Sequence, residues 1–227
     1  MKKIVVLTGA GMSAESGLKT FRDSDGLWEN HNVYDVATPE AWERDPEMVL
    51  KFYNERRKQV RDAKPNKAHV ALGKLEEKYD VHIITQNIDD LHERAGSTQV
   101  IHLHGEVNKA RSSIDSGLVY ELDHWEMKLG DLCEKGSQLR PHIVWFGESV
   151  PMIEKAIPIV EMADRVIVIG TSLAVYPAAG LLNYATSSSK KYYIDPKGFE
   201  GDNHYPFVII KETAGVGVPR LVDQLLQ

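Results

Sequence analysis

This chain of 227 residues has a single cysteine, no long apolar run and no excess of basic charge. The one thiol, Cys133, cannot form an internal disulfide, which favours a reducing, cytoplasmic setting. No apolar run approaches the roughly 18 residues that a membrane-spanning helix needs, so we expect no association with a membrane. The net charge of -6 argues against nucleic acid as the main ligand.

Short apolar runs alternate with helical stretches along the sequence. This alternation is typical of a parallel sheet covered by helices on both faces, so we predict an α/β, Rossmann-like fold with about six strands. The apolar runs are Ile4–Leu7, Val81–Thr85, Val100–Leu103, Ile143–Phe146, Val166–Ile169, Tyr192–Ile194 and Phe207–Ile210. The predicted helices are Pro39–Ala63, Asn66–Tyr79, Asp89–Ala95, Pro151–Met162, Pro177–Ser187 and Val218–Leu226.

Two stretches do not fit the alternation. Residues 18–64 carry no strand signal and are helical and aromatic-rich, whereas residues 106–138 are polar and irregular. We interpret both as insertions that together form a small module. The chain is then one unit, 1–227, whose large Rossmann-like domain covers about 1–17, 65–105 and 139–227 and whose small module covers about 18–64 and 106–138.

A glycine-rich loop follows the first predicted strand, with glycines at Gly9, Gly11 and Gly17. Glycines there allow a tight turn and let backbone N–H groups approach a pyrophosphate, as in dinucleotide-binding loops. An ordinary strand-to-helix turn is the alternative, because a lone Gly-x-Gly is a weak signal. A simple dehydrogenase is disfavoured, since its second strand would end in an acidic residue about 20 positions on. Here residues 20–28 are a polar loop.

Polar side chains follow the predicted strand Val81–Thr85, namely Gln86, Asn87, Asp89 and Asp90. Open α/β sheets bind their ligands at the carboxyl ends of the strands, and an amide beside a carboxylate can hydrogen-bond a carboxamide. The alternative is an Asx turn with Asp89 as the N-cap of the next helix. Both interpretations can hold at once.

His104 is a candidate general base among the nine histidines, because it lies just after a predicted strand and precedes Gly105. Position alone does not make the case, since most histidines are surface residues or satisfied core residues. His102 is the rival and lies on the same strand face, so the alternation of side chains cannot separate the two. The adjacent glycine favours His104.

Five motifs, taken in order along the chain, resemble the successive signatures of the sirtuin family. They are Gly9-Ala10-Gly11-Met12-Ser13 with Gly17 and Phe21-Arg22, then Thr85-Gln86-Asn87-Ile88-Asp89, His104-Gly105, Val144-Trp145-Phe146-Gly147-Glu148 and Gly170-Thr171-Ser172. Together they cover nearly the whole chain. The resemblance implies that NAD is used to remove acyl groups from lysine side chains of proteins or peptides, releasing nicotinamide and O-acyl-ADP-ribose.

The resemblance also implies residue roles. His104, Asn87 and Asp89 are the implied catalytic residues, with His104 as the base toward a ribose hydroxyl and the other two in the nicotinamide pocket. The implied NAD-binding residues are Gly9, Ala10, Gly11, Ser13, Phe21, Arg22, Gln86, Asn87, Ile88, Asp89, Gly170, Thr171, Ser172, Asp195 and Ala214. The segment lining the acyl-lysine tunnel is Val144, Trp145, Phe146, Gly147 and Glu148. It would also pair with the substrate backbone, and its alternative is a buried strand that ends in a turn.

Two further segments bear on the adenosine side of the implied NAD site. Asp195 stands where the family commonly has Asn, and a carboxylate accepts from ribose hydroxyls but repels a 2′-phosphate, which predicts NAD rather than NADP. Residues 213–216, which include Ala214, resemble the adenine-side loop, with a helix-start turn as the alternative.

The zinc site of many sirtuins has no counterpart in this sequence. Where they carry two Cys-x-x-Cys pairs, this chain has Ser112, Asp115, Cys133 and Gly136. One thiolate cannot replace four strong ligands, so we predict no zinc. Apolar packing is then expected to hold the module, through Ile114, Leu118, Val119, Tyr120, Leu122, Trp125, Met127 and Leu132.

Tyr53 and Arg56 stand three residues apart and so project from one face of a predicted helix. They resemble the Tyr-x-x-Arg pair of sirtuins that remove succinyl, malonyl or glutaryl groups, and Ala37 resembles the small residue that accompanies it. The implied acyl groups are succinyl or malonyl, with acetyl removal left open. A solvated helix surface is the alternative.

Other functions on the same scaffold are an NAD glycohydrolase, in which water captures the ribose, and an ADP-ribosyltransferase, in which a protein side chain does so. A non-catalytic NAD-binding module is a rival from another class. The presence of His104, Asn87, Asp89 and the 144–148 segment favours the deacylase.

Overall fold

The computed structural model describes residues 1–19, 27–28, 31–199 and 205–227. Its strands are β1 Lys3–Thr8, β2 Leu27–Trp28, β3 His31–Asn32, β4 Asp80–Thr85, β5 Val100–His102, β6 Gly105–Ser112, β7 Val119–Glu121, β8 Leu139–Ile143, β9 Arg165–Ile169, β10 Lys190–Ile194 and β11 Phe207–Ile210. Six of these strands form a parallel sheet in the order β11-β10-β9-β1-β4-β5. The predicted α/β, Rossmann-like architecture is confirmed.

The pairing register of this sheet brings the carboxyl ends of its strands to one edge. Thr8 at the end of β1 lies opposite Thr85 of β4 and Ile169 of β9. His102 at the end of β5 lies opposite Thr85, and Ile194 of β10 lies opposite Ile169. The loops that follow these five strands therefore leave the sheet side by side.

The predicted strand at residues 143–146 is wrong, whereas the other six apolar runs form the parallel sheet. Strand β8 ends at Ile143 and belongs to a separate antiparallel sheet. The apolar side chains of Ile143 and Trp145 pack instead in a cluster with Phe52 and Tyr53. Burial against a helix and burial in a sheet leave the same short apolar signal in a sequence.

Each of the six predicted helices has a counterpart in the described residues, although one is divided in two, the one at 177–187 is a 3-10 helix and the helix Val33–Val36 was not predicted. The helices are α1 Val33–Val36, α2 Pro39–Arg44, α3 Pro46–Asp62, α4 Lys67–Leu75, α5 Leu91–Arg94, α6 Ile153–Glu161 and α7 Ala214–Leu226, with 3-10 helices at Ala10–Met12, Ala14–Ser16 and Ala178–Tyr184. The single helix predicted over 39–63 is broken at Asp45, whose side chain caps α3 by accepting from the Met48 N–H. The following Pro46 disfavours helical geometry at Asp45 and starts the new helix. None of the described helices is long and apolar enough to cross a membrane.

The core lies on both faces of the parallel sheet. In β1, Ile4 and Val6 pack toward a cluster that includes α4 and α7, whereas Val5 and Leu7 pack toward α6 and the 3-10 helix at 178–184. All four side chains are buried. A strand covered on both faces is apolar at every position, which explains the continuous run at the start of the sequence.

Residues 105–143 include a three-stranded antiparallel sheet in the order β7-β6-β8. The prediction of an irregular stretch at 106–138 is therefore wrong in part. The prediction that eight apolar side chains hold this region is also wrong, because Ile114 is 70% and Leu132 is 55% exposed, while Met127 is buried. Residues 18–64 likewise contain a short antiparallel pair, β2 with β3, that no strand signal indicated.

Polar side chains of α3 attach this region to the rest of the chain. Arg57, which is fully buried, donates to the carbonyl oxygens of Val107 and Trp125 at 2.7 and 2.6 Å. Asn54 donates to the Met127 carbonyl at 2.8 Å and accepts from the Met127 N–H. Buried hydrogen bonds of Arg57 and Asn54 thus hold this region, a role that the sequence analysis gave to apolar packing. The division into a large domain and a small module stays a prediction.

Candidate functional site

One cavity of about 710 Å³ opens at the carboxyl edge of the parallel sheet. Every predicted site residue within the described part of the chain lines it, from the Gly9 loop to the 144–148 segment. Phe21 and Arg22 lie outside the described residues. The structure therefore brings the predicted groups together, while their individual roles stay predictions.

The loops after β1 and β9 meet backbone to backbone at one side of this cavity. A Cβ atom added at Gly11 would lie 2.7 Å from the Cα of Gly170, and one at Gly9 would lie 2.7 Å from the Cβ of Thr171. The glycines are thus needed for the contact between the two loops. The N–H groups of Gly9 and Gly11 donate to the carbonyls of Ile169 and Gly170, and the expected approach of the loop's backbone to a pyrophosphate stays a prediction.

A buried amide–carboxyl cluster lies next to the glycine loop. Asn87 Nδ2 donates to the Gly9 carbonyl and to Ser13 Oγ, both at 3.1 Å, and Ser13 Oγ donates to Asp89 Oδ2 at 2.9 Å. Burial raises the pKa of the Asp89 carboxyl, although the bonds from Ser13 and from the Leu91 N–H oppose that shift. The bond from Leu91 shows that Asp89 also forms the Asx turn that was the alternative interpretation.

His104 faces the cavity, and one of its ring nitrogens is already hydrogen-bonded within the protein. Its Nδ1 lies 3.1 Å from the Gln86 carbonyl, which can only accept, so Nδ1 carries the hydrogen and Nε2 holds a lone pair in the neutral ring. Burial lowers the pKa of His104, against the opposing effect of this hydrogen bond. Gly105 has φ +82, and a Cβ there would lie 2.0 Å from the His142 carbonyl oxygen, so only glycine can follow the histidine.

His102, the rival histidine, is held in a different environment. Its two ring nitrogens lie 3.0 Å from the Asn87 carbonyl and 2.8 Å from Glu93 Oε1, and the residue is 8% exposed. Both nitrogens are therefore engaged within the protein. This geometry favours His104 as the base, a distinction that strand alternation could not make.

Tyr53, Arg56 and Ala37 lie together at the part of the cavity near Trp145. Tyr53 is fully buried and Arg56 is 6% exposed, so the alternative of a solvated helix surface is wrong. Trp145 Nε1 donates to the Tyr53 hydroxyl at 3.1 Å. Burial raises the pKa of Tyr53, although this bond and the charges of Arg140 and Arg56 oppose the shift, so the phenol keeps its hydrogen.

The 144–148 segment lines the cavity without forming a strand. The N–H groups of Val144 and Phe146 donate to the carbonyls of His104 and Ala37, both at 2.9 Å, and the Trp145 N–H donates to Glu148 Oε2. The protein already uses these three N–H groups, while the expected pairing of the segment's backbone with a substrate peptide stays a prediction.

Glu148 anchors the 144–148 segment through two arginines. Arg140 and Arg111 both donate to its carboxylate, at 2.7 to 3.1 Å, and the Arg140 guanidinium stacks over the Trp145 ring at 3.3 Å from the centroid. These bonds hold the pKa of Glu148 below its ordinary value despite burial. Glu148 thus carries its charge as a structural anchor beside the cavity.

Glu15 is a cavity residue that the sequence reasoning missed. Its carboxylate accepts from Thr213 Oγ1 at 3.2 Å and from the Gly215 N–H at 2.6 Å, so it binds the start of α7 some 200 positions away along the chain. Ala214 lies at the same helix start and lines the cavity, which shows that the helix-start interpretation of this segment also holds. No local pattern signals such a long-range contact.

The positions of the absent zinc cysteines contain a small hydrogen-bonded group. Cys133 Sγ lies 3.4 Å from Ser112 Oγ and 3.1 Å from Ser137 Oγ, and these bonds lower the pKa of the thiol to about 7. Asp115 pairs with Lys135 at 2.7 Å. Within the described ranges, no group of three or more His, Cys, Asp or Glu side chains is placed to hold a metal ion.

We expect metal analysis of the purified protein to find well under one equivalent of zinc, because one thiolate and two hydroxyls are poor zinc ligands. Strong chelators are expected to leave both activity and melting temperature unchanged. Stoichiometric zinc by mass spectrometry of the native protein, or a lower melting temperature after chelation, would contradict this prediction.

Comparisons with known proteins agree with this geometry. The Sir2 family model matches residues 9–177. The chain is 52% identical over 229 residues to an NAD-dependent protein deacylase of Helicobacter pylori, covering 100% of this chain and 99% of the relative. It is 51% identical over 231 residues to a protein of the same name from Bacteroides thetaiotaomicron, covering 100% and 99%. A solved Sir2 homolog–NAD complex superposes with a TM-score of 0.89 at 41% identity, covering 99% of this chain and 90% of that chain. The chain therefore belongs to the Sir2 family.

Proposed function

We propose that this Sir2 family member uses NAD to remove acyl groups from lysine side chains of proteins and peptides, giving nicotinamide and O-acyl-ADP-ribose. The observation that carries the proposal is the continuous cavity of about 710 Å³. It joins the glycine loops and the Asn87–Asp89 cluster to His104 and continues to the apolar wall at Trp145. A dinucleotide and an acyl-lysine side chain can thus reach the same base from two sides.

The residues of the cavity fit NAD. Gly9 and Gly11 line the cavity at the end of the sheet, where dinucleotides bind in open α/β folds, and their contact with the loop after β9 leaves no room for a side chain. The buried amide of Asn87 and the carboxyl of Asp89 match a carboxamide. When bound, NAD would supply the ribose carbon that receives the acyl oxygen.

His104 is the general base of the proposed reaction. It accepts the proton of a ribose hydroxyl at Nε2, because Nδ1 is committed to the Gln86 carbonyl. Burial keeps its pKa below the ordinary value, so the ring is neutral and able to accept a proton at neutral pH. With NAD bound, that hydroxyl oxygen would bond to the acyl carbon whose oxygen has displaced nicotinamide from the ribose, and addition of water would release the lysine amine and O-acyl-ADP-ribose.

The preferred acyl groups are proposed to carry a distal carboxylate, as succinyl and malonyl do. Arg56 donates to Gln59 Oε1 at 2.9 Å and places its guanidinium in a nearly closed part of the cavity, and the Tyr53 phenol beside it keeps its hydrogen. A guanidinium and a phenol together suit a carboxylate, and the small Ala37 side chain leaves room for it.

Asp195 supports the proposed preference for NAD over NADP. Its carboxyl is buried, lines the cavity and accepts from the Lys197 N–H at 3.0 Å. A carboxylate placed to accept from ribose hydroxyls repels a 2′-phosphate. The proposal also retains protein or peptide partners and the expected cytoplasmic setting.

One assay that mixes NAD with an acyl-lysine peptide tests the proposed function. Nicotinamide release that depends on the peptide supports deacylation. Release without peptide would indicate an NAD glycohydrolase, transfer of label from NAD to protein would indicate an ADP-ribosyltransferase, and binding without turnover would indicate a non-catalytic module.

A further inference from the structure

His102 is a buried cation behind the cavity. Its partners are the Asn87 carbonyl oxygen at 3.0 Å and the Glu93 carboxylate at 2.8 Å, and both of these groups accept. Both ring nitrogens therefore donate, which requires the imidazolium form. Burial opposes that charge, but the hydrogen bond and the charge of Glu93 outweigh it and raise the pKa of His102.

The turn between β4 and α5 is fixed at three successive carbonyl oxygens. His104 donates to the Gln86 carbonyl at 3.1 Å, His102 to the Asn87 carbonyl at 3.0 Å, and the Val107 N–H to the Ile88 carbonyl at 2.9 Å. Of these three donor residues, His102 is the one whose second ring nitrogen is hydrogen-bonded to a carboxylate, that of Glu93. A donor that carries a charge makes a hydrogen bond roughly twice as strong as a neutral one.

This turn presents the groups proposed to meet the nicotinamide ring. The Asn87 side chain points to Gly9 and Ser13, while its carbonyl points away toward His102. A shift of the Asn87 backbone would therefore move its amide, and with it the bonds that connect Ser13 to Asp89. Positioning errors of about 1 Å at a reacting centre have large effects on function.

We propose that the Glu93–His102 ion pair is a positioning device that holds the backbone of this turn and thereby sets the affinity for the nicotinamide end of NAD. The inference rests on the proposed function, because it takes the nicotinamide ring to bind against Asn87 and Asp89. His102 acts through the Asn87 carbonyl and is a positioning residue, while His104 alone acts as the base.

Two substitutions at His102 separate positioning from folding. His102→Leu removes both hydrogen bonds and leaves Glu93 without this partner, but the Glu93 side chain is 40% exposed and can be hydrated instead. His102→Asn puts an amide N–H where Nδ1 was, so the bond to the Asn87 carbonyl can be kept although the bond to Glu93 is lost. The Asn variant is therefore the conservative rescue.

Binding titrations with NAD and with ADP-ribose, which lacks the nicotinamide, provide the readout. We expect His102→Leu to weaken NAD binding about tenfold or more and ADP-ribose binding much less, as for the loss of a charged hydrogen bond. We expect His102→Asn to recover most of the NAD affinity. In steady-state assays, KM for NAD should rise by a larger factor than kcat falls.

The matched control pair consists of two neutralised carboxylates. Glu93→Gln removes the hydrogen-bonded charge that stabilises the imidazolium and should weaken NAD binding. Glu106→Gln removes a carboxylate that pairs with Lys109 at 2.9 Å and whose charge contributes less to the raised pKa of His102, so it should weaken NAD binding much less. Equal loss of NAD and ADP-ribose binding in His102→Leu, or no rescue by His102→Asn, would overturn the positioning role. Failure of the wild-type protein to bind either ligand would overturn the proposed function as well.

Discussion

His104→Ala is expected to reduce deacylation by roughly a hundredfold or more, as for the removal of a positioned general base. NAD binding should remain largely intact, because the turn keeps its hydrogen bonds from His102 to the Asn87 carbonyl and from the Val107 N–H to the Ile88 carbonyl when the His104 bond is lost. Single-turnover assays with an acyl-lysine peptide, together with a binding titration for NAD, measure the two effects separately.

The pH profile of kcat/KM gives an independent test of the same base. His104 acts in its neutral form, and burial lowers its pKa, so activity should fall only as the pH drops below the ordinary range of histidine. His104→Ala should lose this acidic limb. Near wild-type turnover in His104→Ala, combined with an inactive His102→Ala, would show that the base is the other histidine.

The parallel sheet and the position of the site were predictable because the signals are local. Each buried strand leaves a short run of apolar residues, and each ligand loop follows directly at the end of such a run. The registers of Thr8, Thr85 and Ile169 bring those loops to one edge, as parallel pairing requires. Motif order along the chain was therefore enough to bring the predicted residues to one cavity, although it did not reveal Glu15.

The features that the sequence analysis did not predict depend on contacts between segments far apart in the chain. Arg57 looks like one of several charges on an exposed helix in the sequence, yet it is buried and bonds carbonyls 50 and 68 positions away. The 143–146 run is buried against α3, which periodicity cannot distinguish from burial in a sheet. The choice between His102 and His104 likewise rests on Glu93, whose partner no local pattern reveals.

Arg56→Met is expected to lower kcat/KM for a succinyl-lysine peptide by roughly 10- to 150-fold relative to that for the acetyl-lysine peptide. A charged hydrogen bond contributes about 1.5–3 kcal/mol, and this range converts to that factor. Methionine keeps much of the length and apolar volume of the arginine stem, so the cavity wall is retained. The wild-type enzyme is expected to prefer the succinyl-lysine peptide.

Tyr53→Phe should lower the same succinyl-to-acetyl ratio by a smaller factor, because it removes one neutral donor and also the acceptor of the Trp145 N–H. Lys58→Met is the matched control, since Lys58 lies on α3 but is exposed and stacks near the Trp125 ring, away from the cavity. The succinyl-to-acetyl ratio of Lys58→Met should equal that of the wild type. Because Arg56 is buried beside Tyr53, its guanidinium favours an anionic acyl group and accommodates a neutral apolar one less well than an apolar wall would. A wild-type preference for acetyl-lysine that Arg56→Met leaves unchanged would show that this arginine serves the packing of α3 and has no part in acyl selection.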